Sequence, residues 1–140
     1  MNMKRDPAIR VILMPKDTNG HGTIFGGVIL SYIDMAGAVA ARSLGVHKFV
    51  TVAMDKIVFP EPVYVGDVVS FYADIEKVGN TSVTVKVRVE AQRFEDPKVT
   101  VKVTEATVIY VSVDHGGRPI PVMGGGPKTV AFGKKKAGPR

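Results

Sequence analysis

One carboxylate stands apart in this sequence. Asp34 lies within residues 28–44, a run of small and apolar side chains whose only other charge is Arg42. On a helix, positions three, four and seven away share a face, and around Asp34 these are Gly27, Leu30, Ser31, Gly37, Ala38 and Ala41. None of them can neutralise a carboxylate. Burying an unpaired carboxylate costs several kcal/mol or raises its pKa. Asp34 therefore requires a partner remote in sequence, an opening to water, or a chemical task. The task that suits a carboxylate in an apolar cleft is that of general base or nucleophile.

Gly26 and Gly27 stand just before this run. Two consecutive glycines leave backbone N–H groups unshielded at the positive end of a helix dipole. A carbonyl lodged there would have its developing oxyanion stabilised, by about 3 kcal/mol per donor. The competing reading is steric: close packing of the helix start against a strand also asks for glycine.

Other chemistries lack their residues. There is no cysteine, which excludes disulfides and thiolate catalysis. No serine occupies a Gly-x-Ser-x-Gly elbow. His21, His47 and His115 are far apart in the chain and form no His-x-x-x-His pair, so no metal site is expected. No phosphate-binding glycine motif stands between a strand and a helix, and Gly124-Gly125-Gly126 falls in a terminal segment rich in Gly and Pro.

The elements that must position Asp34 follow from the pattern around it. Residues 8–14 read as a short strand stopped by Pro15, followed by a turn-rich stretch at residues 17–22. The alanine-rich run at 28–44 is the one good helix, ending near Gly45 and apolar on nearly every side, as a buried helix should be. Everything after it reads as strand, at 49–59, 67–77, 83–90 and 99–113. Residues 83–90 alternate apolar and polar without a miss. One buried helix and a run of antiparallel strands imply an α+β domain with the sheet wrapped around the helix, the hotdog architecture. A single sheet covers only one side of such a helix, so a second subunit is expected on the other.

A chain of 140 residues suffices for one core. The net charge of +6 is concentrated at one end, since five positive charges and no acid lie in the last thirteen residues. Residues 1–127 are nearly neutral, and the expected organisation is a domain over 1–123 with a basic, flexible tail over 124–140. The domain itself has no charge pattern suited to nucleic acid. No run of ~18 apolar residues could span a membrane. The N-terminus lacks the apolar stretch of a signal peptide, so the expected location is cytoplasmic.

Taken together, residues 14–19, Gly22-Thr23-Ile24-Phe25-Gly26-Gly27 and Ile33-Asp34-Met35-Ala36-Gly37 resemble the opening of the hotdog acyl-CoA thioesterases, of the bacterial short-chain and brain acyl-CoA hydrolase type. The resemblance continues through residues 50–53, 59–69, 79–83 and 104–106, and so covers roughly residues 8 to 121. It implies hydrolysis of acyl-CoA to coenzyme A and a carboxylic acid, with no cofactor beyond the coenzyme A of the substrate. By position, the family's catalytic acid corresponds to Asp34 and its catalytic asparagine to Asn19, contributed by different subunits to one site. Gly26 and Gly27 would polarise the thioester carbonyl. Thr81, Ser82 and Val83 would line the path of coenzyme A along a strand edge. A homodimer is the implied minimal unit and a hexamer, a trimer of dimers, the implied assembly. The sequence departs from many bacterial relatives at His21-Gly22-Thr23, where they carry Asn-Gly-Asp. Two other roles belong to the same fold: a non-catalytic module that binds acyl-CoA, and a hydratase or dehydratase of acyl thioesters, for which the surroundings of His21 do not match. A nucleic-acid-binding role would rest on the tail alone.

Overall fold

In the computed structural model, residues 6–45, 48–55 and 57–122 are described. The tail at 124–140, the domain boundary at 123 and His47 lie outside them. Along the chain run β1 (Ile9–Ile12), a 3₁₀ turn (Pro15–Asp17), helix α1 (Gly26–Arg42), β2 (Lys48–Asp55), β3 (Val68–Val78), β4 (Ser82–Gln92) and β5 (Thr100–Val113). The strands form one antiparallel sheet in the order β1-β3-β4-β5-β2. This is the strand, helix, four-strand order expected from the sequence.

The alternation read at residues 83–90 extends over all of β4. Val83, Val85, Val87, Val89 and Ala91 face the core, and the residues between them are half-buried. Against this central strand and its neighbours lies one face of α1, through Ile29, Ile33, Ala36, Gly37 and Ala41. The helix begins two residues before the apolar run and ends at Arg42. The Ser43 hydroxyl donates to the Ala40 carbonyl at 2.7 Å, and Gly45, at φ 140°, turns the chain away.

One expectation needs correcting. The apolar composition of α1 suggested burial on nearly every side, yet Ser31, Met35, Val39 and Arg42 form an exposed stripe, with Met35 and Val39 46% and 52% accessible. Five strands cover one face of a helix, and among the described residues nothing packs against this stripe on the other.

The close approach of helix and sheet depends on Gly37. A Cβ there would lie 2.1 Å from the hydroxyl oxygen of Tyr110, whose ring is fully buried on β5. Gly37→Ala should therefore destabilise the fold by about 1–3 kcal/mol through overpacking. It should do so although Ala gains about 1 kcal/mol in helix propensity. Urea denaturation measures the difference, and a variant as stable as the parent would show that Tyr110 yields without cost.

Candidate active site

Asp34 sits on the half-buried flank of α1, and two strands reach it. The Thr51 hydroxyl, on β2, donates to the Asp34 carboxylate at 2.6 Å. The Tyr110 hydroxyl, on β5, donates to the Asp34 main-chain carbonyl, also at 2.6 Å. Thr51 and Tyr110 are direct cross-strand partners, so both side chains project from the same face of the sheet toward the helix. The register slips by one residue immediately beyond, between Thr51 and Ala53. A bulge at such a place re-aims the strand and ends regular pairing beside the site. Burial, with the nearby Asp34 charge adding to it, pushes the Tyr110 phenol well above its usual range, so it remains a proton donor at neutral pH. One cross-strand pair thus holds Asp34 at both its carboxylate and its backbone. Among the described residues no ion pair includes Asp34.

Asn19 lies on the loop that leads into α1. Its main-chain N–H donates to the Thr23 carbonyl at 2.9 Å, and its side-chain amide donates to the Thr23 hydroxyl at 2.7 Å. Its side-chain oxygen accepts from the His21 N–H at 2.7 Å. Gly20 and Gly22, at φ 87° and 93°, supply the left-handed turns that this tight loop requires. The Phe25 N–H donates to the Asp17 carbonyl at 2.8 Å, so the loop closes at the foot of the helix. There the Gly26 and Gly27 N–H groups have no acceptor among the described residues, while the next one, Val28, donates to the Phe25 carbonyl. These are two orphan donors at the positive end of α1.

A third segment secures that loop. Thr23 bridges Tyr64, and the Ile24 N–H donates to the Val63 carbonyl at 2.8 Å. The segment is fixed in turn by Asp67, which is 1% accessible. The Asp67 carboxylate accepts from the N–H groups of Tyr64 and Phe94 at 2.9 and 3.0 Å, and from the Arg93 guanidinium at 2.7 Å. Arg93 also donates to the Pro62 carbonyl at 2.9 Å and stacks 4.8 Å from the Tyr64 ring centroid. Between this segment and the helix start opens a cavity of about 260 Å³. Ile24, Gly26, Ile29, Phe59, Val63 and Val103 give it its mostly apolar wall.

The structure thus brings Asn19, Gly26 and Gly27 into one loop-and-helix unit. It does not bring them to Asp34, and no hydrogen bond among the described residues joins Asn19 to Asp34. At 1.5 Å per residue, seven to eight helical positions separate Asp34 from the glycines by about 10–12 Å. Thr81, in the turn between β3 and β4, and Ser82, the first residue of β4, are half-buried, and the Thr81 carbonyl accepts from the Ser112 N–H at 2.8 Å. Val83 follows as the second residue of β4. Its side chain is fully buried in the core, and β4 is central, paired with β3 on one side and β5 on the other. Tyr110 lies outside every motif read from the sequence, and Thr51 falls within residues 50–53 with no role attached; they are 76 and 17 residues from Asp34 and carry no local signal of meeting it. Asp67 likewise falls within residues 59–69 with no role attached. An acid directly after a glycine at the start of an apolar strand was the available cue.

These features, a helix bearing a clamped carboxylate and opening on two glycine N–H groups within a curled sheet, are those of a hotdog thioesterase. Residues 21–95 match the family model of the thioesterase superfamily, and the chain belongs to that superfamily. Over 120 residues it is 41% identical to the acyl-CoA thioester hydrolase YciA of Salmonella typhimurium, covering 83% of this chain and 90% of that one. Among solved structures it is similar to Cj0915, a hexameric hotdog fold thioesterase of Campylobacter jejuni. That likeness has a TM-score of 0.78 and 49% identity, over 84% of this chain and 90% of the other. HI0827, a hexameric broad specificity acyl-coenzyme A thioesterase, superposes with a TM-score of 0.79 at 37% identity, over 87% and 84% of the two chains. The hotdog fold expected from the sequence is therefore the fold of this chain.

Proposed function

We propose that the protein hydrolyses acyl-coenzyme A thioesters to coenzyme A and a carboxylic acid, at sites assembled from two subunits. The observation that carries this reading is the spacing along α1. A general base and an oxyanion hole must both come within about 3 Å of the reacting atoms. Asp34 and the Gly26–Gly27 donors of one chain are about 10–12 Å apart. A site using both therefore draws Asp34 from one subunit and Asn19, Gly26 and Gly27 from the other. The surface supports such pairing. β2 ends the sheet, with Val50 and Val52 40% and 56% accessible, and the open stripe of α1 carries Met35 and Val39. An end strand beside an apolar helix face, with no further strand paired to it among the described residues, favours burial against a second copy. The hexameric assemblies of Cj0915 and HI0827 support a trimer of such dimers.

In this site the thioester oxygen accepts hydrogen bonds from the Gly26 and Gly27 N–H groups. Asp34 takes a proton from a water that attacks the carbonyl carbon, or attacks it directly to form an anhydride that water then opens. The tetrahedral oxyanion gains most from the two donors, and coenzyme A leaves as its thiol. Asn19 orients the water or the carbonyl. The cavity beside Gly26 receives the start of the acyl chain, and the exposed atoms of Thr81 and Ser82 meet coenzyme A. Asp34, Asn19 and the backbone donors supply every group the reaction needs, so no cofactor enters. Among the described residues no group of three or more His, Cys, Asp or Glu is placed to hold a metal ion. No described helix is long and apolar enough to cross a membrane. A cytoplasmic location belongs to the same proposal, supported by a cysteine-free chain that needs no oxidising compartment.

A thiol-reactive dye assay over acetyl- to palmitoyl-CoA, with and without chelator, tests the reading. Free thiol should be released without added metal or nucleotide. Sedimentation should give a multiple of the 15.0 kDa chain mass. Acyl-CoA binding without turnover at any chain length would make the protein a binding module instead. A fully active monomer would overturn the shared site.

A further inference from the structure

We infer that Thr23 is a positioning residue for Asn19, fixing through its hydroxyl which way the catalytic amide presents its donor. This rests on the assignment of Asn19 above. The two ends of the amide are told apart by their partners. A backbone N–H can only donate, so the atom facing His21 at 2.7 Å is the Asn19 side-chain oxygen. The NH₂ end must then face the Thr23 hydroxyl, to which it donates at 2.7 Å. One N–H of that group remains for a thioester oxygen or an attacking water, and its direction is set by where the other is held. Thr23 can serve as an anchor because it is itself fixed. Its backbone bridges Tyr64, its carbonyl accepts from the Asn19 N–H at 2.9 Å, and it lines the cavity beside Gly26. Asn19, Gly20, His21 and Gly22 are all exposed, so no packing around the amide sets its direction in place of these hydrogen bonds. Removing the Thr23 acceptor leaves the amide held at its oxygen alone, free to rock about that contact. The amide then spends less time in the geometry that stabilises the transition state.

The test compares Thr23→Val, which keeps shape and removes the acceptor, with Thr23→Ser, which keeps the acceptor and removes a methyl. Steady-state hydrolysis of an acyl-CoA and thermal melting are measured for both. Thr23→Val should lower kcat by about tenfold with KM little changed and an unaltered melting temperature. Thr23→Ser should restore kcat. In an Asn19→Ala background, Thr23→Val should have no further effect, because the group it positions is gone. Three results would overturn the inference. They are a Thr23→Val enzyme with parental kcat, equal losses in Thr23→Ser and Thr23→Val, or a Thr23→Val loss that persists in full without Asn19. An Asn19→Ala enzyme with parental kcat would instead remove Asn19 from the site and Thr23 with it, a pattern distinct from the other three. If Thr23→Val fails to fold, Thr23→Ala serves as the acceptor-free variant, and the same outcomes decide.

Discussion

Asp34→Asn is expected to lower kcat at least ~10²-fold, the lower end of what a positioned acid–base group contributes. The fold should be almost untouched. An asparagine side-chain oxygen can still accept from the Thr51 hydroxyl, and Tyr110 bonds the main-chain carbonyl, which the substitution does not alter. Only the charge is lost. Had Asp34 been the partner of a buried cation, the same change would strand that cation and cost about 3–5 kcal/mol. The structure favours the first pattern, because Asp34 is held by hydroxyl donors and forms no ion pair among the described residues. Measuring kcat beside melting temperature separates the two. A variant that melts early but turns over normally per folded molecule would take Asp34 out of the site. Because Asp34 and Asn19 belong to different subunits of one site in the proposed assembly, mixed oligomers of Asp34→Asn and Asn19→Ala chains should recover activity. The recovery comes from sites that inherit both original residues.

The second large effect concerns stability. Asp67→Ala should destabilise the protein by about 3–5 kcal/mol, the usual consequence of removing one member of a buried ion pair. Asp67 is inaccessible, and its carboxylate accepts three hydrogen bonds, from Tyr64, Phe94 and Arg93. Alanine would leave Arg93 with Glu61, at 3.5 Å and far more exposed, as its only carboxylate among the described residues, and two backbone donors without their acceptor. The damage should spread to the proposed site, since residues 63 and 64 hold Thr23 and Ile24 on the loop that carries Asn19. Denaturant titration gives the loss directly. Adding Arg93→Met should recover part of it by removing the stranded charge, but not the part due to the orphaned N–H groups. A single variant within 1 kcal/mol of the parent, on the order of an exposed ion pair, would mean that water replaces Asp67 without cost.

The residue pattern alone determined the order of elements, because the signals involved are local. Uninterrupted alternation at 83–90 can satisfy only a strand with one face in a core, and the alanine-rich run around Asp34 can satisfy only a helix. The pattern also singled out Asp34, by the absence of any partner within one helical turn, and Gly26-Gly27, by their place at the helix start. Tertiary structure decided what each of these residues meets. Thr51 and Tyr110 converge on Asp34 only because β2 and β5 pair in a register that makes them direct neighbours. Nothing in the sequence around either residue specifies that register. The central place of β4, with Val83 buried in it, has the same origin, since a strand's rank within its sheet follows from which strands flank it and not from its own residues. The open face of α1 is also a tertiary outcome. The helix sequence is apolar enough to be covered all round, but the sheet reaches only one side. The separation of Asp34 from Gly26 and Gly27 differs from all of these. It follows from the rise of a helix, was present in the sequence from the start, and gained its meaning only beside a helix face that the described residues leave uncovered.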